Sequence, residues 1–201
     1  MAVVAPVVEY YRLVDDGTST STYALYDAGS GVAPATLLDF GTVDAGTDYY
    51  EGTTANITAS LDSCQVYAIF NAKGATSSTE SSHMQNTVLS VVSNEAGHEG
   101  AKMDAVYDNA WIHCIINAET QADEIALGKD GTGEKTKTLT AAGLDQDPAK
   151  SDYGIIQGSA NDGTLANSSK NYAIVKLWVS TKANAAAGPH YFRLRTTYSY
   201  T

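Results

Sequence analysis

Residues 171–182 read NYAIVKLWVSTK, and their spacing decides the fold class. Ala173, Val175, Leu177 and Val179 fall on one side, while Tyr172, Lys176 and Trp178 fall on the other, the period of two that belongs to a β-strand. The segment NAAAGP, 184–189, then supplies a connection. The chain resumes at 190–200 as HYFRLRTTYSY, with Phe192, Leu194 and Tyr198 on one face and Arg193, Arg195 and Thr197 on the other. Two alternating strands joined by a short glycine-containing loop are expected to form an antiparallel pair.

Working outward, the same signals recur upstream. PVVEYYRLV (6–14) and TYALYDA (22–28) flank an Asp-Asp-Gly-Thr turn. Strands are further expected at 35–43, 52–61, 64–72, 87–93, 110–118, 135–141 and 154–160. Turn dipeptides such as Asp130-Gly131 and Asp162-Gly163 punctuate them. Long helix-period stretches are absent. The pattern predicts an all-β chain, with an antiparallel two-sheet sandwich favoured over a small barrel.

Composition narrows the function classes. The chain has 201 residues and a formal net charge of -11, with a pI near 4.6. Its three arginines, Arg12, Arg193 and Arg195, form no basic stripe, so nucleic acid is not an expected partner. The apolar start MAVVAPVVEYYRL lacks a preceding basic region and is broken by Pro6, so no signal peptide is expected. No run approaches the length of a membrane span. Cys64 and Cys114 are read as free buried thiols in preference to a disulfide, and the scattered histidines do not suggest zinc.

Several motifs invite a catalytic reading, and each has a plainer one. Asp39-Phe40-Gly41 has the residues of a kinase magnesium triplet, but the glycine-rich loop and the other kinase elements are missing, leaving a strand that runs into a turn. GKDGTGEKT, 128–136, places Glu134 where a phosphate-binding loop needs lysine, and reads as a hairpin tip. His113 and Cys114 are neighbours on a strand and so point to opposite faces, which prevents mutual activation. Asp145, Asp147 and Asp152 form an acidic loop; calcium is the alternative to a solvated surface, although the EF-hand ligand order is absent. No cofactor is expected. Tyr49, Tyr50 and Trp178 are candidates for stacking on a ligand, with core packing as the competing role.

LDFGTVDAGT, residues 38–47, resembles the opening strand of Ig-like sandwich domains, and NAAAGPHYF, 184–192, resembles the last turn and strand of that class. YAIFNAKGA, 67–75, looks like a strand ending before a glycine turn. GSANDGTLANSSKNYAIVKLWV, 158–179, is similar to small virion proteins of tailed bacteriophages. The resemblance spans about the last four-fifths of the chain, and implies an Ig-like β-sandwich over 34–201 preceded by an arm and hairpin over 1–33.

It further implies a non-enzymatic structural protein, made soluble in the host cytoplasm and resident in the virion. Its partners would be other virion proteins in a symmetric or homo-oligomeric assembly. Capsid decoration is the leading role; a tail appendage, receptor-binding or carbohydrate-binding adhesive module is the alternative. Docking would use a sheet edge or the arm, through Val3, Val4, Val7, Val8, Tyr10 and Tyr11. On that reading, loss of residues 1–12 should leave a folded domain.

Overall fold

The computed structural model describes residues 2–3, 5–15, 23–25, 65–72, 80–94, 96–97, 99, 110–119, 121–127, 135–158, 170–181 and 187–200. The expected strands at 35–43 and 52–61, together with Cys64, Tyr49, Tyr50, Val4, the Asp39-Phe40-Gly41 triplet and residues 128–134, lie outside them. The described strands are β1 (Ala2–Val3), β2 (Val8–Asp15), β3 (Tyr23–Leu25), β4 (Gln65–Asn71), β5 (Glu80–Ser81), β6 (Met84–Ser93), β7 (Ala110–Ile116), β8 (Ile125–Leu127), β9 (Lys137–Thr138), β10 (Tyr172–Thr181) and β11 (Phe192–Tyr200).

These strands form an all-β, antiparallel two-sheet sandwich consistent with a generic Ig-like fold. One sheet runs β3-β2-β4-β10-β7-β8 and the other β11-β6-β9, with β1 and β5 forming a small parallel pair. Of the strand expected at 154–160, the described residues 154–158 form a single bridge, between Met84 and Ile156.

The antiparallel pairing expected between the last two strands does not form. β10 lies in the middle of the six-stranded sheet between β4 and β7, while β11 pairs with β6 in the other sheet. The physical reason lies in their faces. Ala173, Val175, Leu177 and Val179 enter the inter-sheet core, but Tyr172, Lys176 and Trp178 on the opposite side are buried as well. A strand buried on both faces suits the centre of a sheet. On β11, Arg193, Arg195 and Thr197 are exposed, and Phe192, Leu194 and Tyr198 rest half-buried on the core. That pattern suits a strand with one wet face.

A second apolar cluster covers the outer face of the large sheet, made of Tyr11, Val66, Ala68, Phe70, Ile115, Tyr172 and Trp178. Phe70 is its hinge. Its ring meets Tyr11 edge-on at 5.4 Å and Tyr172 at 5.1 Å. Aromatic pairs in such tilted arrangements add to the stability supplied by burial itself.

Polar side chains bind the sheets together where backbone groups would otherwise go unpaired. The buried Asn71 amide donates to the carbonyls of Ser82 and Ile156. Asn117, at φ 47°, donates to the Thr140 carbonyl at 2.8 Å and to Gln146 Oε1 at 2.9 Å, while its own Oδ1 accepts from Ile174 N at 3.0 Å. Lys137 Nζ reaches from β9 to Glu119 Oε2 at 2.6 Å and to the Asp123 carbonyl at 2.9 Å. This ammonium is nearly buried, so its two oxygen partners offset the loss of water.

The N-terminal segment is part of this architecture. Val8–Leu13 pair with Val66–Asn71, and β3 continues the same sheet through pairing with Leu13–Asp15. Tyr11 belongs to the outer cluster, while Val8 and Tyr10 pack against the inter-sheet core. The expectation that residues 1–12 could be lost without harm to the fold is therefore corrected: β2 shields one whole side of β4.

Candidate docking edge

Among the described residues, four strands bound the two sheets: β3 and β8 on the larger, β9 and β11 on the smaller. β3 and β8 have three residues each and β9 has two, whereas β11 has nine. Short edges offer little template to another strand; a long one offers a full ladder. Among the described edges, β11 therefore offers the longest template for strand addition.

The hydrogen-bond pattern identifies its open side. Asn94 N donates to the Tyr191 carbonyl at 2.9 Å, and the two residues face one another across the β11–β6 ladder. Antiparallel bonding alternates, so Arg193, Arg195 and Thr197 turn their backbone groups toward β6. The N–H and C=O groups of Leu194 and Thr196 point the other way. Among the described residues, no strand pairs with that side.

The extra residue of the ladder lies on β6 and not on β11. Between Val88 and Gln85 the inner strand uses one residue more than β11 uses between Thr197 and Ser199. Asn86 absorbs the extra residue with a φ of 49°, a left-handed conformation that asparagine tolerates better than most. Its side-chain amide donates to Ser199 Oγ at 3.2 Å, and Ser199 Oγ donates to the Gln85 carbonyl at 3.2 Å. The bulge is thus tied to the strand that it supports.

Side chains give the edge a distinct chemistry. Arg193 donates to Asn94 Oδ1, and Arg195 Nε donates to Ser90 Oγ at 3.2 Å, which orients both guanidinium groups along the outer face. Tyr191 precedes the strand and Tyr200 is its last residue; they are 54% and 47% exposed. On the inner face, the Tyr10 hydroxyl and Thr196 Oγ1 share a hydrogen bond of 2.6 Å that joins this edge to β2 of the other sheet.

Burial pushes the Tyr10 phenol above the ordinary tyrosine pKa, with the bond to Thr196 opposing part of the rise. The folded state therefore holds this proton more tightly than the unfolded chain. Its stability contribution is complete below the unfolded value near 10 and is lost as pH rises through the raised folded value. Urea titrations between pH 8 and about 11 should show falling stability in the wild type and a shallower fall in Tyr10→Phe; equal slopes would exclude Tyr10 as a source.

The residues proposed from sequence fare unevenly. Val7 is exposed at 45%, but Val8, Tyr10 and Tyr11 are consumed by the chain's own packing. Val3 lies in β1, paired with Ser81. Trp178 is only 2% exposed, and its ring stacks on His113 at 5.4 Å, so it presents no open face for stacking on a ligand. Its burial follows from the central position of β10, which periodicity alone did not reveal.

Of the motifs with a catalytic reading, the described residues Cys114, His113, Asp145 and Asp147 lie in packing and in turns. Cys114 is a free thiol in the inter-sheet core, and burial pushes its pKa far above the ordinary range. His113 lies on the other face, against Trp178 and the Glu124 carboxylate. Asp145 Oδ1 accepts from Asp147 N at 3.0 Å, and Asp147 Oδ1 accepts from Ala149 N at 2.9 Å, the bonding of successive Asx turns. Among the described residues, no group of three metal-ligating side chains comes together, and no helix is long and apolar enough to cross a membrane.

The β11 edge was missed because edge status depends on partners distant in sequence. The one available signal was the pair Arg193 and Arg195 on the polar face of an alternating strand. Comparison with protein-family models, curated proteins and solved structures finds no match to this chain.

Proposed function

We propose that this chain is a non-enzymatic structural protein of a tailed-bacteriophage particle, with capsid decoration as its leading role, docking by strand addition along β11. The observation that carries the docking mechanism is the nine-residue edge strand, whose outward backbone groups at Leu194 and Thr196 face no described strand. Main-chain hydrogen bonds supply affinity in such contacts, and side chains on alternate positions supply selectivity. The placement in a virion is supported by the resemblance of residues 158–179 to small virion proteins.

The test is cryo-electron microscopy of particles from a phage that encodes the chain, with and without its gene. A density attached to the shell that disappears on deletion, with β11 at the contact, is the expected result. Absence of the protein from particles would overturn the virion reading. An adhesive module is the second reading, favoured by the exposed rings of Tyr191 and Tyr200. Glycan-array binding lost in a Tyr191→Ala, Tyr200→Ala double variant would establish it.

A further inference from the structure

We infer that the strand received by β11 is an acidic strand of a different protein, with carboxylates at two alternate positions opposite Arg193 and Arg195. This rests on the strand-addition reading above and adds the chemistry of the partner. The argument begins with charge. The whole chain carries -11, yet residues 187–200 contain two of its three arginines, His190 and no carboxylate. Both arginines are exposed on the same face of the same edge strand.

Opposite charges directly across two strands attract, and like charges repel. An incoming strand aligned on the open groups of Leu194 and Thr196 places its own side chains opposite those of β11 on the same face. Carboxylates at alternate positions would therefore meet Arg193 and Arg195, while the intervening side chains continue the half-buried row of Leu194, Thr196 and Tyr198. Exposed arginine thus marks the register as well as the sign of the partner.

A second copy of this chain fits less well. Antiparallel pairing of β11 with itself requires residues with open groups to face one another. Centring that pairing on Leu194, or between Leu194 and Thr196, sets arginine directly opposite arginine. Centring it on Thr196 avoids direct opposition but brings the two Arg195 side chains onto a diagonal of one face, still within reach of each other. The arginines therefore discourage self-pairing at the same edge that they open to an acidic strand.

The experiment uses the full chain and two acetylated heptapeptides that alternate valine with polar residues. One carries two glutamates and a threonine at the polar positions, the other two lysines and a threonine. Titration calorimetry at low and moderate salt should show the glutamate peptide binding at least roughly tenfold more tightly than the lysine peptide, with the difference narrowing as salt rises. An Arg193→Gln, Arg195→Gln variant should lose the preference.

Thr196→Pro removes an outward N–H without touching the β6 ladder and should abolish binding; Thr196→Val loses the same bond to Tyr10 but keeps the N–H and should bind. Circular dichroism confirms that each variant is folded. Equal binding of both peptides, lost only in Thr196→Pro, would overturn the acidic partner and leave strand addition standing. Binding that survives in a folded Thr196→Pro, or no binding of either peptide, would overturn strand addition itself. A dimer seen by sedimentation that dissolves in Thr196→Pro would assign the edge to a second copy and overturn the inference.

Discussion

Removing residues 1–12 is expected to abolish cooperative folding. The deletion takes away β1 and five of the six residues through which β2 pairs with β4, from Val8 to Arg12. It also strips Tyr11 from the outer cluster and Val8 and Tyr10 from the inter-sheet core. Burial of a large apolar side chain contributes about 1.5–3 kcal/mol, and each lost ladder hydrogen bond about 0.5–1.5 kcal/mol. Against a total stability of about 5–15 kcal/mol for a typical domain, these losses are decisive.

Phe70 makes the damage specific, because its edge-on contact with Tyr11 disappears and the β2 side of β4 loses its partner strand. The check is a thermal melt followed by near-ultraviolet circular dichroism. The full chain should melt in a single transition and the truncated chain should show none. A cooperative melt within a few degrees of the full chain would show β2 to be dispensable and restore the picture of a detachable arm.

Trp178→Ala is expected to destabilise the protein by about 3–5 kcal/mol. Its indole sits directly opposite His113 across the β10–β7 ladder, with ring planes 13° apart. Truncation would leave a cavity on the outer face of the central strand and remove the surface that holds His113 beside Glu124. Urea unfolding should show a lower midpoint at an unchanged slope. Trp178→Phe fills most of the volume and should lose less than half as much. Wild-type stability in Trp178→Ala would mean that the ring is not part of the packed outer cluster.

Period-two alternation made the faces of β10 and β11 readable without a structure: Val175 and Leu177 inward, Arg193 and Arg195 outward. It did not reveal which sheet each strand joins, because alternation reports a face and pairing is a long-range choice among many strands. The apolar character of Tyr172 and Trp178 held the missing information. Counted as buried, they turn β10 from a hairpin arm into a central strand. β8 and β9 were harder still, being three and two residues long. The candidate site shows the same division: the polar row of β11 was visible, while its open side depended on the placement of β6.

The placement of β10 also sets a timetable. Tyr67 must pair with Val175, and Val175 with Ile116, so the strand that joins β4 to β7 is made after both of them. At about 5–20 residues per second, β4 would wait roughly 5–20 s on the ribosome with the apolar face of Tyr67 and Ile69 lacking its eventual neighbour. The sub-sheets β3-β2-β4 and β7-β8 can therefore pair before β10 emerges, and β10 then joins them. Slow closure and exposure to chaperones belong to this topology, whatever the protein binds once folded.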